Sequence, residues 1–184
     1  MLWGLIFIFC ASFVMAQSAD NPALKPILNN FGARNYANGA VTKAELDLII
    51  QAGIRAPSAA NRQPWHFTVV QDIALAKQMI SQTTDGNVLI VVSAAGDGKT
   101  NGAVIFDCAL AVQSMYLAAQ ALGLGSRIYT GPIDTINSRF KSQLGIPPDR
   151  NAIGVVRIGR LPSGVDAVSS ASPRNSAAQT VTYK

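Results

Sequence analysis

The sequence predicts a single α+β domain behind a short apolar leader. Three observations carry that reading. Residues 103–122 give the longest helical signal, with apolar residues on nearly every face. Residues 67–70, 88–92 and 152–159 are short runs rich in β-branched residues, read as strands. Between a helix-like segment and the first strand lies Arg55-Ala-Pro-Ser-Ala-Ala-Asn-Arg-Gln-Pro-Trp-His-Phe67, the densest run of constraint in the chain. A chain of 184 residues suits one domain. It is 49% apolar and only 14% charged, which excludes disorder for most of it. The formal charge of +5 comes without any block of lysines or arginines, so no nucleic-acid partner is expected.

Residues 2–15 are almost wholly apolar and lead into Val14-Met15-Ala16-Gln17, where small or β-branched residues at −3 and −1 fit signal-peptidase cleavage after Ala16. The run falls short of the ~20 residues a bilayer span asks for. We therefore expect residues 1–16 to be a signal peptide, residues 17–184 to be the domain, and the protein to be exported. Retention as an N-terminal membrane anchor is the alternative, since the terminal amine is the leader's only positive charge. Phe9 before Cys10 is a poor fit to a lipoprotein site. Once Cys10 leaves with the leader, Cys108 stands alone, with no disulfide to form. Its apolar helical setting predicts a buried, inert thiol. His66 is the one histidine, and no second ligand pairs with it, so no metal site is expected.

Taken in order, residues 21–30 read as a short helix, with Pro22 in its first turn and Leu24, Ile27 and Leu28 apolar. Thr42-Lys-Ala-Glu45 is a capping box that opens a helix with Leu46, Ile49, Ile50 and Gly53 on one face. Residues 73–80 are a short amphipathic helix after Asp72. Residues 88–92 are continuously apolar and mostly β-branched, and predict a buried strand. Residues 96–102 form a flexible loop. Its Gly98-Lys99-Thr100 is no phosphate-binding P-loop, because Ser93 occupies the place of the required glycine. The helix at 103–122 is expected to be buried all round, at the centre of the domain or at a subunit interface, with Gly123 closing it. Residues 133–144 read as an amphipathic helix stopped by Gly145. Residues 163–172 look like a linker, and 179–183 alternate like a strand.

Proline fixes its own φ and disfavours the helical region for its predecessor. Pro57 and Pro64 therefore predict a rigid connection with Ala56 and Gln63 extended. Such a loop can offer backbone N–H groups and short polar side chains to a flat ligand. A packed helix-to-strand turn with Trp65 and Phe67 buried is the simpler reading of the same residues.

The run Ala-Pro-Ser-Ala-Ala-Asn-Arg-Gln-Pro-Trp resembles the signature loop of the nitroreductase family, FMN-dependent oxidoreductases in which this loop lies along the flavin ring. Ala121-Leu-Gly-Leu-Gly-Ser126 is similar to a second family segment, and Val155-Val156 with Ile158-Gly159 to its last core strand. The resemblance implies a three-layer α/β/α sandwich with a mixed, mostly antiparallel sheet and a long buried central helix. It also implies a homodimer that binds FMN between subunits, with residues 162–184 packing on the partner. Pro57, Ser58, Ala59 and Asn61 would line the ring. Tyr129, Thr130 and Gly131 would lie near flavin N5, where a main-chain N–H donates. The family's Arg-x-Ser-x-Arg-x-aromatic pattern, which holds the FMN phosphate, is matched by Arg34 and Tyr36, while Asn30 and Gly32 stand where Arg and Ser would be. Arg174 would bring a second cation to the phosphate. Paired guanidinium donors suit a phosphate dianion, so losing one arginine should weaken binding. At the pyrimidine edge of the flavin, Arg62 and Lys99 are open candidates.

The resemblance implies an oxidoreductase in which NAD(P)H, or another electron donor outside the cytoplasm, reduces the flavin and a small nitroaromatic or quinone-like substrate reoxidises it in ping-pong order. No side chain is required as a catalytic acid or base. The competing expectation is a non-catalytic protein of the same fold that holds a flavin or another flat ligand.

Overall fold

The computed structural model of the chain describes residues 21–96, 100–168 and 173–184. The expected signal peptide, Lys99 and the end of the 163–172 linker lie outside the described residues. Four strands form one sheet: β1 His66–Val70, β2 Val88–Ala95, β3 Gly125–Tyr129 and β4 Arg150–Gly159. Their order is β1-β2-β4-β3, and every pairing is antiparallel. The mixed part of the expected sheet is therefore not met among the described residues.

Strand side chains alternate between faces, and the β-branched runs let both faces be apolar. Val88, Ile90, Val92, Val156 and Ile158 point to one side, where they meet Leu46 and Ile49 of α2 (Lys43–Ile54) and Cys108, Val112, Met115 and Ala119 of α4 (Gly102–Ala121). Leu89, Val91 and Val155 point to the other. There they pack on Leu75, Ala76 and Met79 of α3 (Ile73–Met79) and on Ile136 and Leu144 beyond α5 (Ile133–Thr135). The result is the expected three-layer α/β/α sandwich. Two short helices, α1 (Lys25–Leu28) and α6 (Ala177–Thr180), lie outside it.

Local sequence explains most boundaries. Thr42 Oγ1 accepts from the Glu45 N–H at 3.3 Å while the Glu45 carboxylate accepts from the Thr42 N–H at 2.8 Å, the reciprocal cap that starts α2. The same carboxylate takes a two-pronged ion pair from Arg160, at 2.8 and 2.7 Å. That pairing, ahead of the Thr42 bonds, pulls the Glu45 carboxyl down to about 2. Asp72 caps α3 by accepting from the Ala74 and Leu75 N–H groups. At the end of α4, Gly123 takes φ +75°, and the Leu124 N–H donates to Ala119 O while that of Gly123 donates to Gln120 O. This is a Schellman closure, and its left-handed residue suits glycine.

Several expectations are corrected. The helix over 21–30 contracts to Lys25–Leu28, because the Asn21 side chain accepts from the Ala23 N–H and holds a turn ahead of it. Over 133–144 the α-helix lasts only to Thr135 and then widens to a π-turn at Ile136–Phe140. There Asn137 is tied in both directions to the backbone of Ala152, at 2.7 and 3.2 Å. Residues 179–183 are not a strand in the single chain. Ser176 and Gln179 make a capping box that starts α6.

The central helix is not buried all round. Asp107, Cys108, Ala111, Val112, Met115, Tyr116, Ala119 and Gln120 are buried, but Phe106 is 65% exposed. Gln113 is exposed too, nearly two turns further on, and Leu110 and Leu117 are only half-buried. The sheet covers one side of a helix whose sequence is apolar on every side.

Candidate functional site

The connection between α2 and β1 is held by bonds from two other elements. The Asp107 carboxylate, 3% exposed on the second turn of α4, accepts from the Ala59 N–H at 3.0 Å. From the start of β4, Arg150 Nη1 donates to Pro64 O at 3.1 Å. Between these two clamps the chain makes a 3-10 turn at Ala59–Asn61. Ser58 Oγ accepts from the Gln63 N–H at 3.0 Å, and Gln63 Nε2 donates to Asn61 Oδ1 at 3.1 Å.

Three non-glycine residues in this stretch adopt left-handed backbone: Ala60 at φ +51°, Asn61 at +53° and Gln63 at +47°. The expectation that Gln63 is extended is therefore corrected. The Ser58 hydroxyl draws its N–H inward, and this local bonding overrides the preference that Pro64 imposes. Such conformations cost of order 1–3 kcal/mol each and persist where the surroundings dictate them, most often at functional sites. Pro57, Ala59 and Asn61 are exposed and Ser58 half-buried. Trp65 and Phe67, rings parallel within 6° and centroids 6.4 Å apart, are half-buried and pack on the core shared with α4.

A second constellation lies along the β3 edge. Residues 30–37 run beside it, with the Ala33 N–H donating to Ser126 O at 3.0 Å. Gln120, 2% exposed on α4, grips the same segment. Its Oε1 accepts from the Phe31 N–H at 3.3 Å, and its Nε2 donates to Phe31 O at 3.2 Å and to Ser126 Oγ at 3.0 Å.

Tyr36 fills a slot left by two glycines that face each other across β3 and β4, Gly125 and Gly159. A Cβ on either would stand 3.1 or 2.9 Å from the ring. Burial pushes the Tyr36 phenol far above its ordinary range, against the opposing pull of Arg157. The Arg157 guanidinium lies 4.0 Å above the ring and is 1% exposed.

Arg34, exposed, lines a shallow pocket of about 320 Å³ with Phe31, Gly32, Leu161 and Pro162. Arg174 lines a different, wider cleft of about 500 Å³, with Asn30, Gly32, Gln113, Tyr116 and Arg127. The two expected phosphate cations thus border neighbouring hollows that share Gly32. Tyr129 ends β3 half-buried, with the Arg127 guanidinium 5.3 Å from its ring centre, and Thr130 and Gly131 follow as exposed turn residues. Arg62 is turned onto its own loop, Nε donating to Ala59 O at 3.1 Å.

Asp107, Gln120, Arg127, Arg150 and Arg157 were not assigned to the site from sequence. Asp107 has one sequence signal, shared with Gln113, as a polar exception on a mostly apolar helix, while Gln120 is not singled out. The three arginines sit in or beside strands, and nothing local marks them. Cys108 is buried as expected. Burial first, then the neighbouring Asp107 carboxylate, pushes its thiol up to about 11.

By 3.6 residues per turn, Asp107 borders one flank of the exposed α4 stripe, and Tyr116 and Gln120 border the other. The proline-framed loop and the Arg127 cleft therefore lie on opposite sides of that stripe.

Comparison with known proteins agrees with this arrangement. The sequence profile described as the nitroreductase family matches residues 33–86 and 81–160. A protein of Archaeoglobus fulgidus, provisionally named NADH dehydrogenase/NAD(P)H nitroreductase, is 34% identical over 146 residues, spanning 74% of this chain and 83% of its own. A crystal structure of a provisionally named nitroreductase from Desulfovibrio desulfuricans, in complex with FMN, superposes with a TM-score of 0.74 at 27% identity, covering 90% of this chain and 98% of the other. A Parabacteroides distasonis structure with the same provisional name as the Archaeoglobus protein gives 0.73 at 26% identity, covering 89% and 98%. A profile matched across most of the chain, a relative above 30% identity and one shared sandwich place this chain in the nitroreductase family.

Proposed function

We propose that this chain is an FMN-dependent oxidoreductase that works as a homodimer, with NAD(P)H or an equivalent donor and a small nitroaromatic or quinone-like acceptor. One observation supports this above the others. The loop at 57–63 keeps three left-handed non-glycine residues, clamped by Asp107 and Arg150, at the border of an exposed apolar stripe. A plain connection has no need of such strain, whereas a shelf for a planar ring needs a fixed backbone.

The residues present fit the cofactor. Pro57, Ser58, Ala59 and Asn61 would face the ring. The hollows beside Gly32 offer guanidinium groups to a phosphate, from Arg34 in one and from Arg174 and Arg127 in the other. Backbone at Tyr129, Thr130 and Gly131 would approach the flavin N5 side. The chemistry FMN supplies when bound is reversible two-electron transfer, taken from the donor in one half-reaction and given to the acceptor in the next. This chain's own residues bind, orient and shield, and none is assigned a proton transfer.

A second copy packed on the Phe106 stripe would bring one subunit's loop towards the other's cleft, so that each site is completed by both. Residues 1–16 would act as an export leader. N-terminal sequencing of the mature protein that begins at Gln17 would support that, and an intact Met1 would reject it.

The visible spectrum of the purified protein tests the main reading. Flavin bands near-stoichiometric with protein are expected, bleached by NADH or NADPH under argon and restored by a nitroaromatic. Flavin that is held but never reduced by any donor would favour the binding-protein alternative. A colourless protein that cannot be reconstituted with FMN would end both.

A further inference from the structure

We propose that Arg62 is a specificity-determining residue, a guanidinium fork at the rim of the 57–63 loop that selects acceptors carrying a carboxylate or a similar anionic group. The proposal rests on the reading of that loop as the shelf over which an acceptor is reduced, and it names the acceptor's chemical class. Three observations carry it.

The first is how Arg62 is held. Its Nε donates to Ala59 O at 3.1 Å, a carbonyl that already accepts the Arg62 N–H at 3.2 Å. The side-chain bond is therefore not needed to satisfy that carbonyl, and it ties no other element to the loop. Other arginines of this fold cross-link distant segments: Arg150 reaches Pro64, Arg157 reaches Gln82 and Thr84, and Arg160 reaches Glu45. What the Nε bond does is fix the guanidinium against a residue of the shelf. Arg62 is exposed, and among the described residues its two Nη groups have no partner. A planar pair of N–H donors held in this way matches a carboxylate.

The second is charge. From Arg55 to Phe67 the chain carries two arginines, one histidine and no acid. Among the described residues, the carboxylate that bonds to this stretch is Asp107, which is 3% exposed and is taken up by the Ala59 N–H. No acid among them pairs with Arg55 or Arg62. The exposed rim of the shelf is therefore positive, and such a rim draws in anions.

The third is the neighbouring surface. Pro57 and Ala59 are exposed on the same loop, which borders the exposed apolar stripe of α4. An apolar floor with a fixed cation at its edge fits a flat ring that ends in an anion.

The test uses the FMN-loaded parent, Arg62→Gln, Arg62→Lys and the distant surface control Arg139→Gln, all checked for native circular dichroism. The acceptors are 4-nitrobenzoate and its neutral analogue 4-nitrobenzamide. Relative to the two rates with free reduced FMN, the parent should favour nitrobenzoate in kcat/KM, and added salt should erode the preference. Arg62→Gln should lower the ratio of the two kcat/KM values roughly tenfold, the low end for hydrogen bonds to charged groups. Arg62→Lys should restore part of it, and Arg139→Gln should keep it whole. A second readout needs no turnover. Benzoate should perturb the flavin spectrum of the oxidised parent at concentrations where benzamide does not, and Arg62→Gln should abolish the difference. A ratio and a benzoate response that Arg62→Gln leaves unchanged would overturn the proposal. So would equal losses on both acceptors, which would make Arg62 a contact of the flavin itself. So would a loss confined to flavin reduction, larger for NADH than for an uncharged dihydronicotinamide, because the fork would then serve the donor's phosphates. A protein that holds no flavin would end the proposed function and this proposal with it, whereas a working flavoprotein indifferent to the acceptor's charge would end this proposal alone.

Discussion

The loop at 57–63 and the cleft beside β3 border the same helix, and α4 holds them by opposite means. On one flank a buried carboxylate, Asp107, takes a single backbone N–H from a loop full of strain. On the other, a buried neutral amide, Gln120, bonds the Phe31 peptide in both directions, and glycine slots receive an aromatic ring without strain. The loop is held in shape by local hydrogen bonds and by its clamps to Asp107 and Arg150. The β3 side is shaped by what is missing, the side chain of Gly32 in the cleft and those of Gly125 and Gly159 beneath Tyr36. A site can thus be rigid through stored conformational cost at one end and through close packing at the other, and the two ends should fail differently.

The largest effect is expected on the packed side. Gly159→Ala drives a Cβ against the Tyr36 ring and into the Asn87 amide that Arg157 depends on. Overpacking of this kind costs about 1–3 kcal/mol and occasionally more. We expect the upper end, read as a lowered urea midpoint with unchanged m. A midpoint equal to the parent's would show that the slot is not tight.

On the strained side, Asp107→Ala leaves the Ala59 N–H without its acceptor. It should cost roughly 1–3 kcal/mol and loosen the loop specifically, seen as faster amide exchange at 58–63 with the rest protected. Asp107→Asn keeps an oxygen in place and should lose less. Uniform exchange across the domain in Asp107→Ala would mean that the residue serves the fold and not the loop.

Gln120→Ala should cost about 1 kcal/mol and release residues 30–34 in the same assay, leaving the 58–63 amides as they were. If both flanks loosen together, they are not independently held.

The smallest effect concerns acid. The Glu45 carboxyl is held at about 2 in the fold against 4.5 in the unfolded chain. A depressed acid contributes stability that is complete above the unfolded value and is lost as pH falls through the folded one. The Glu45–Arg160 contribution should therefore fade between about pH 4.5 and 2. Arg160→Met should flatten that part of the stability profile by about 1 kcal/mol or less, because the pair is partly exposed to solvent. An unchanged slope would place the acid sensitivity elsewhere.

Residue types and spacing determined much of this protein by themselves. The caps at Thr42 and Asp72, the closure at Gly123, the β-branched strands and the proline-framed loop are local, because each is made by residues a few positions apart. The same locality made the Ala56–Trp65 loop and the stretch from Ala121 to Ser126 readable as a family resemblance. What tertiary structure alone decided are the contacts between distant residues. Asp107 meets Ala59, Gln120 meets Phe31, and Arg127 comes to stand over Gly32 beside Arg157, only once the sheet has brought its strands together. One side of α4 stays exposed because the sheet lies along the other, and the periodicity of an evenly apolar helix carries no record of which side that is.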